Sequence, residues 1–98
     1  MQISQIFLSD DENQELSPFL KYATGTIDQI YPDADHAIYN KETLRAFIEE
    51  NYPAAVLDAY ETLRPYSYKA DLGRFCLLNK LGGWYFDIGV RAVNPVEL

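Results

Sequence analysis

Three charged residues in the last third of the sequence have types and spacing suited to ligand chemistry. Asp71 and Arg74 stand in the stretch "KADLGRF", and side chains at this spacing on a helix project from one face and can touch. Asp87 stands in "LGGWYFDIGV", where an aromatic strand ends in a carboxylate. The alternative for the first two is an ordinary surface ion pair, worth only about 0.2–0.5 kcal/mol.

Asp87 is expected at the carboxyl end of a strand, which is the edge where open parallel sheets bind ligands. A carboxylate there can accept hydrogen bonds from ribose or sugar hydroxyls, or help to hold a divalent cation beside a diphosphate. A turn-capping carboxylate is the alternative. The preceding Trp84, Tyr85 and Phe86 are expected to pack in the sheet and core rather than to stack on a base.

Gly73 separates the two charged residues of the predicted helix. A glycine inside a helix costs about 1 kcal/mol relative to alanine. It is tolerated more readily where a backbone or a ligand packs closely, which favours a functional role for this helix face over a solvated one.

The single cysteine and the single histidine do not favour thiol chemistry. Cys76 lies in the apolar run "FCLLNKL" and is expected to be a small buried hydrophobe in a reducing compartment. His36 stands in "DADHAIY", at the start of a predicted strand. A catalytic thiolate needs a polar or basic setting and a histidine partner.

Composition limits the class of protein further. A chain of 98 residues, 48% of them hydrophobic, predicts one small domain over residues 1–98. The formal net charge of −7 argues against binding to a nucleic-acid backbone. We find neither a signal peptide nor an apolar stretch of membrane-spanning length, so a cytoplasmic protein without a transmembrane segment is expected. The acidic run "SDDENQE" predicts a solvated loop, with a cation site as the alternative.

Strands and helices must alternate to position these residues. Residues 2–8 predict the first strand, "HAIYN" a buried second strand, and "WYFD" a central third strand, with "VRAV" as its continuation or a fourth. Strands separated by helices imply an α/β fold with a mainly parallel sheet and flanking helices.

Four helices are predicted between the strands. Ser17 and Pro18 open the first, Asn40 caps the second, Pro53 starts the third, and the fourth covers about residues 69–81, where the glycine pair stops it. The expected core positions are Phe19, Leu20, Ala23, Ile27, Ile30 and Tyr31 in the first helix, Leu44, Phe47, Ile48 and Tyr52 in the second, and Val56, Leu57, Tyr60 and Leu63 in the third.

The stretch "YSYKADLGRFCLLNKLGGWYFDIGVRAVNP" resembles the signature of glycosyltransferases with an Asp-x-Asp sugar-binding region. That group includes initiating mannosyltransferases, capsular polysaccharide transferases and, more distantly, clostridial glucosylating toxins. Its pattern runs Ala/Ser-Asp-x-x-Arg, an apolar helix, Gly-Gly-x-Tyr-x-Asp-x-Asp, a basic-apolar strand and a proline. "ISQIF" and "HAIYN" extend the resemblance more weakly toward the start. The resemblance implies the N-terminal nucleotide-sugar-binding part of a Rossmann-like, glycosyltransferase A-type fold, whose catalytic domains continue beyond the region matched here.

The resemblance also implies roles for five residues. Asp71 and Arg74 would contact the donor sugar, with Arg74 also near the phosphate. Asp87 would touch ribose or sugar hydroxyls and contribute to the metal site. Phe7 could stack on the nucleobase, and Gln5 lies two positions earlier on the same face of the strand.

One position departs from the family pattern. Gly89 stands where the second aspartate is expected, which is the usual direct ligand of Mn²⁺ or Mg²⁺ in this family. The loss of an anionic oxygen should weaken metal affinity, so dependence on Mn²⁺ or Mg²⁺ is in question.

The implied function is binding of a nucleotide-sugar donor for transfer of a hexose to a saccharide or other acceptor, as in polysaccharide biosynthesis. The alternative is a non-catalytic remnant or interaction module that retains the fold. Its truncated sheet would then be completed by a partner or by a second copy, giving a homo-oligomer. The sequence offers no candidate for a catalytic group.

Overall fold

The fold is seen in a computed structural model that describes residues 1–9, 15–64 and 66–90. These residues form a parallel sheet with the strand order β2-β1-β3. The predicted α/β class, with a parallel sheet between helices, is confirmed. The strands are β1 (Gln2–Ile6), β2 (Asp35–Tyr39) and β3 (Trp84–Tyr85), and the helices are α1 (Pro18–Ile30), α2 (Lys41–Asn51), α3 (Ala54–Thr62) and α4 (Tyr66–Leu81).

The helices cover both faces of the sheet. The α1 helix lies over the face that carries Gln5 and His36, and it buries Ala23 and Ile27. Helices α2 and α4 cover the opposite face, and α3 packs against both of them. The main apolar cluster on this side consists of Ile6, Leu44, Ile48, Tyr60, Cys76 and Leu77. Cys76 is therefore buried as predicted.

The first two helices begin where their capping residues predict. The Ser17 hydroxyl accepts a hydrogen bond from the Leu20 amide at 3.2 Å, and Pro18 occupies the first helical position, where its missing N–H costs nothing. Asn40 and Thr43 cap each other's backbone amides, both at 2.8 Å. In the described part of the chain, no helix has the length and apolarity needed to cross a bilayer.

The glycine pair joins α4 to β3. Gly82 has φ of +67° and donates its N–H to the Leu78 carbonyl at 2.9 Å, so it closes the helix in the left-handed conformation. Gly83 has φ of +78°, and a Cβ there would lie 2.0 Å from the Gln2 carbonyl oxygen. The absence of a side chain thus lets β3 approach β1.

Several predicted details are wrong. The second strand lies at the edge of the described sheet, with Ile38 40% exposed, and β1 is the middle one of the three strands that the structure describes. Phe19 is 61% exposed, because the buried stripe of α1 begins one turn later at Ala23.

Some predicted boundaries also shift. The fourth helix begins at Tyr66 rather than Lys69. The first and third strands end earlier than predicted, although the backbone amides of Phe7 and Phe86 continue the sheet by donating to the Tyr39 and Ser4 carbonyls. Most of "SDDENQE" and "VRAV" lies outside the described residues.

Candidate functional site

A pocket opens beside the carboxyl end of β3. It has a volume of about 510 Å³, within the range of about 300–1,000 Å³ that small-molecule sites occupy. Its lining combines one guanidinium, one carboxylate and several apolar or aromatic surfaces, and consists of Arg74, Leu78, Gly83, Trp84, Tyr85, Phe86, Asp87 and Val90. Arg74 from α4 and Asp87 from the end of β3 therefore share a cavity.

Arg74 has two neighbours on this side of the sheet. Its guanidinium lies 3.5 Å from the Asp71 carboxylate and 5.8 Å from the centre of the Tyr85 ring. The predicted contact between Asp71 and Arg74 is confirmed. Both side chains are largely exposed, and an exposed pair of this kind contributes little to stability, so the guanidinium is accessible to a ligand.

Tyr85 lies at the centre of the charged residues. Burial raises the pKa of its phenol, the carboxylates of Asp87 and Asp71 raise it further, and the Arg74 guanidinium opposes them. The phenol therefore keeps its proton at neutral pH and can donate a hydrogen bond. The sequence predicted only a packing role for Tyr85, because its position among these charges depends on where α4 crosses the sheet.

The main chain at Asp87 forms a turn that leaves the carboxylate exposed. The Asp87 carbonyl accepts hydrogen bonds from the Val90 amide at 3.0 Å and from Gln5 Nε2 at 3.1 Å. The turn over residues 87–90 is thus closed by backbone atoms. The Asp87 side chain projects at the edge of the sheet that ligands of α/β proteins use.

Gly89 lies inside this turn without a steric reason to be glycine. Its φ is outside the left-handed region, and no atom lies within 4 Å of the position that a Cβ would take. An aspartate would therefore fit at this position.

Gln5 and Phe7 lie on the other face of the sheet from Tyr85. Gln5 is fully buried, and both ends of its amide have partners, Asp87 and His36. Phe7 follows β1 and is half-buried, and strand alternation places its side chain on the Gln5 face. The structure therefore brings Asp71, Arg74 and Asp87 together around Tyr85 but does not bring Gln5 or Phe7 into that group.

Comparison with known proteins identifies the family. Residues 17–97 match the family described as "Glycosyltransferase sugar-binding region containing DXD motif", which is most of the chain. The chain belongs to this glycosyltransferase family. Inositol phosphoceramide mannosyltransferase 3 of Schizosaccharomyces pombe is 34% identical over 71 residues, covering 68% of this chain and 19% of that relative. No solved structure matches the chain.

The metal-ligating side chains that the structure describes do not form a metal site by themselves. The motif of this glycosyltransferase family is reduced here to Asp87-Ile88-Gly89, so one of its two carboxylates is missing. Within residues 1–9, 15–64 and 66–90, no three histidine, cysteine, aspartate or glutamate side chains gather into a group that could hold a metal ion. Because divalent cations such as Mg²⁺ and Mn²⁺ take several oxygen ligands, Asp87 alone would hold one weakly.

Packing explains Gly73 without a ligand. A Cβ at this position would lie 2.5 Å from the Leu44 Cδ2 atom, so the glycine lets α4 approach α2 closely. The close neighbour that the sequence predicted is therefore a core side chain.

One polar group next to the site was not predicted from the sequence. The imidazole of His36 contacts the Gln5 side chain at 2.6 Å and the Asp28 carboxylate at 2.8 Å. No spacing in the sequence indicates these contacts, because they depend on the parallel register that pairs Ile3 with His36.

Proposed function

We propose that this chain binds a nucleotide-sugar donor for transfer of a hexose to a saccharide or other acceptor. The observation that carries the proposal is the pocket that Arg74 and Asp87 both line, beside the Tyr85 ring. Membership of the glycosyltransferase family supports the same class of ligand. The proposed setting is cytoplasmic polysaccharide biosynthesis, with the acceptor left open.

The chemistry of the pocket suggests a role for each side chain. Arg74 would bind the diphosphate or a sugar hydroxyl with several N–H donors, and its charge would stabilise a leaving nucleoside diphosphate. Asp71 would orient that guanidinium. Asp87 would accept hydrogen bonds from sugar or ribose hydroxyls. The exposed ring of Trp84, which lines the pocket, would cover an apolar face of the sugar.

Phe7 and Gln5 have different proposed roles. Phe7 lies near the same end of the sheet, and a base bound across that edge could stack on its ring. Gln5 is buried and engaged at both ends, so we assign it an indirect role through the turn at Asp87 rather than a direct contact with the nucleotide.

The second candidate is a non-catalytic module with the same fold. Gly89 in place of a carboxylate favours it, because the space at this position would admit an aspartate. Such a module would bind a partner or a second copy, with β3 pairing at the edge of the described sheet.

The proposal is tested by calorimetric titration of the chain with UDP-glucose and GDP-mannose, with and without Mn²⁺. We expect saturable binding that Asp87→Asn and Arg74→Gln weaken at least about tenfold, because each removes a charge-assisted hydrogen bond. Asp58→Asn and Arg64→Gln, at exposed positions on other elements, are the matched controls and should leave binding unchanged.

The opposite results have distinct meanings. Absence of binding by either donor in every condition would contradict the proposed donor site. Concentration-dependent dimers in sedimentation equilibrium, together with that absence, would favour the interaction module.

A further inference from the structure

A chain of hydrogen bonds crosses the sheet beneath the pocket. It runs from the Asp28 carboxylate on α1 to His36 Nδ1 (2.8 Å), from His36 Nε2 to Gln5 Oε1 (2.6 Å), and from Gln5 Nε2 to the Asp87 carbonyl (3.1 Å). It therefore connects the outer helix α1 to the turn that presents Asp87.

The chemistry of the last link fixes the direction of the others. A carbonyl oxygen only accepts hydrogen bonds, so Gln5 must turn its amide nitrogen toward Asp87 and its amide oxygen toward His36. That oxygen also only accepts, which requires a proton on His36 Nε2. His36 Nδ1 faces a carboxylate, again an acceptor. The doubly protonated imidazole is thus the form in which every contact pairs a donor with an acceptor.

Burial makes the two middle residues of this hydrogen-bonded series sensitive to loss of a partner. Gln5 is fully buried, and the His36 side chain is only 7% exposed, whereas that of Asp28 is 66% exposed. A buried polar group left without a partner is costly. Asp28, at the solvent end, can be changed with little effect on the core.

We propose that His36, held by Asp28, is a positioning residue for the proposed donor site. It orients the Gln5 amide, which holds the turn over residues 87–90 and so places the Asp87 carboxylate at the pocket. The proposal rests on the proposed function for its effect on ligand binding, but its effect on the turn can be measured without a ligand.

The chain of contacts is complete only while both ring nitrogens carry protons. Loss of either proton sets two acceptors against each other, at Asp28 or at Gln5. The groups that face the ring are Asp28 from α1 and Gln5 from β1, while the adjacent Asp35 points to the opposite face of β2. The link from His36 to Gln5 requires only the proton on Nε2.

The first test uses amide hydrogen exchange of Val90, whose N–H closes the turn. In Gln5→Leu and His36→Leu, we expect Val90 to exchange about fivefold faster than in the wild type, as loss of one net hydrogen bond predicts. Tyr60→Phe removes one partly buried hydrogen bond on the other side of the sheet and controls for general destabilisation. Unchanged Val90 exchange in both test variants, or equal acceleration in the control, would overturn the proposal.

A conservative variant separates positioning from packing. His36→Gln keeps an N–H donor for the Gln5 oxygen, so it should retain the Val90 protection that His36→Leu loses. Asp28→Ala should accelerate exchange partially, whereas Asp33→Ala, at an exposed carboxylate just after α1, should not. Equal behaviour of His36→Gln and His36→Leu would show that the ring acts only through its volume.

The second test measures the affinity of the wild type, His36→Leu and His36→Gln for UDP-glucose and GDP-mannose at one pH. His36→Leu should bind the donor about fivefold more weakly than the wild type, because loss of one net hydrogen bond loosens the turn that presents Asp87. His36→Gln should bind the donor as the wild type does. Donor binding of equal affinity in the wild type and His36→Leu would overturn the effect of His36 on the donor site. Absence of all binding would contradict the donor site instead, and the exchange test would still decide the positioning role.

Discussion

The two glycines before β3 lack the Cβ atoms that would disturb the pairing of this strand with β1. Gly83 combines φ of +78° with a Cβ position 2.0 Å from the Gln2 carbonyl oxygen, whereas Gly82 has φ of +67° and open space. The first position is therefore constrained by conformation and by contact, and the second by conformation alone. A side chain at Gly82 would therefore strain the backbone only, whereas a side chain at Gly83 would also push β3 away from β1.

The first prediction compares Gly83→Ala with Gly82→Ala in urea unfolding. Gly82→Ala should cost about 1–2 kcal/mol, the penalty of a left-handed alanine. Gly83→Ala should cost at least about 1 kcal/mol more, because β3 must also move away from β1. Equal losses for the two variants would show that the strand moves freely to accommodate a methyl group.

The second prediction concerns the substitution Gly89→Asp. The open space and the ordinary φ at this position predict a change in stability within about 0.5 kcal/mol. If Asp87 lies at a donor site, the added carboxylate should make donor binding more dependent on Mn²⁺. Calorimetry with and without Mn²⁺ measures the effect, and Gly89→Asn is the control for side-chain size. Equal Mn²⁺ dependence in the aspartate and asparagine variants would contradict the prediction.

Among the helices and strands, the first residues of the helices were predicted more accurately than the order of the strands in the sheet. Ser17, Pro18 and Asn40 act within one turn of their own helix, so their capping roles are readable from the sequence. The predicted start of the fourth helix was three residues too late, because the low helix propensity of Tyr66 and Tyr68 argued against a helix there. The burial of β2 was mispredicted because strand order depends on contacts between distant segments.

The same distinction applies to the candidate site. The spacing of Asp71 and Arg74 predicted their contact, and the position of Asp87 at a strand end predicted its exposure at the sheet edge. The central place of Tyr85 and the contact of Gln5 with His36 were not predicted. The first depends on how α4 packs on the sheet, and the second on the register of β1 with β2. Neither can be read from the spacing of neighbouring residues.

The third prediction tests the packing of α4 against α2. Gly73→Ala should destabilise the wild-type chain, because its methyl group would overlap the fully buried Leu44, and such overpacking costs typically about 1–3 kcal/mol. In the Leu44→Ala background, the same substitution should stabilise the chain by roughly 1 kcal/mol through helix propensity. A four-member thermodynamic cycle in urea measures the reversal, and the same sign in both backgrounds would contradict it.

The whole molecule should lose stability at alkaline pH. Burial, aided by the charge of Glu61, raises the pKa of Tyr60 to about 12 from its ordinary value of 10.0, and burial also raises the pKa values of Tyr39 and Tyr85. The unfolded chain releases these protons first, so stability is fully present below about pH 10 and falls as pH rises toward 12. The lowered pKa of buried Lys69 acts in the opposite direction.

The fourth prediction isolates Tyr60 within that decline. Its contribution should be about 2–3 kcal/mol between about pH 10 and 12, as a shift of two pKa units implies. Tyr60→Phe should flatten the pH dependence of urea unfolding while lowering stability by about 1 kcal/mol at pH 7, because it loses the hydrogen bond to the Lys41 carbonyl. Tyr22→Phe, at an exposed phenol, is the control. An unchanged alkaline slope in Tyr60→Phe would contradict the prediction.

The proposed donor site is the pocket that Arg74, Tyr85 and Asp87 line. The most direct measurement is a map of backbone amide chemical shifts during titration of the wild-type chain with UDP-glucose and GDP-mannose. We predict saturable shifts centred on Arg74, residues 83–90 and the end of β1, and the shift at Arg74 should need at least about tenfold more donor in Asp87→Asn. Shifts centred elsewhere, or none at saturating donor, would contradict the proposed donor site.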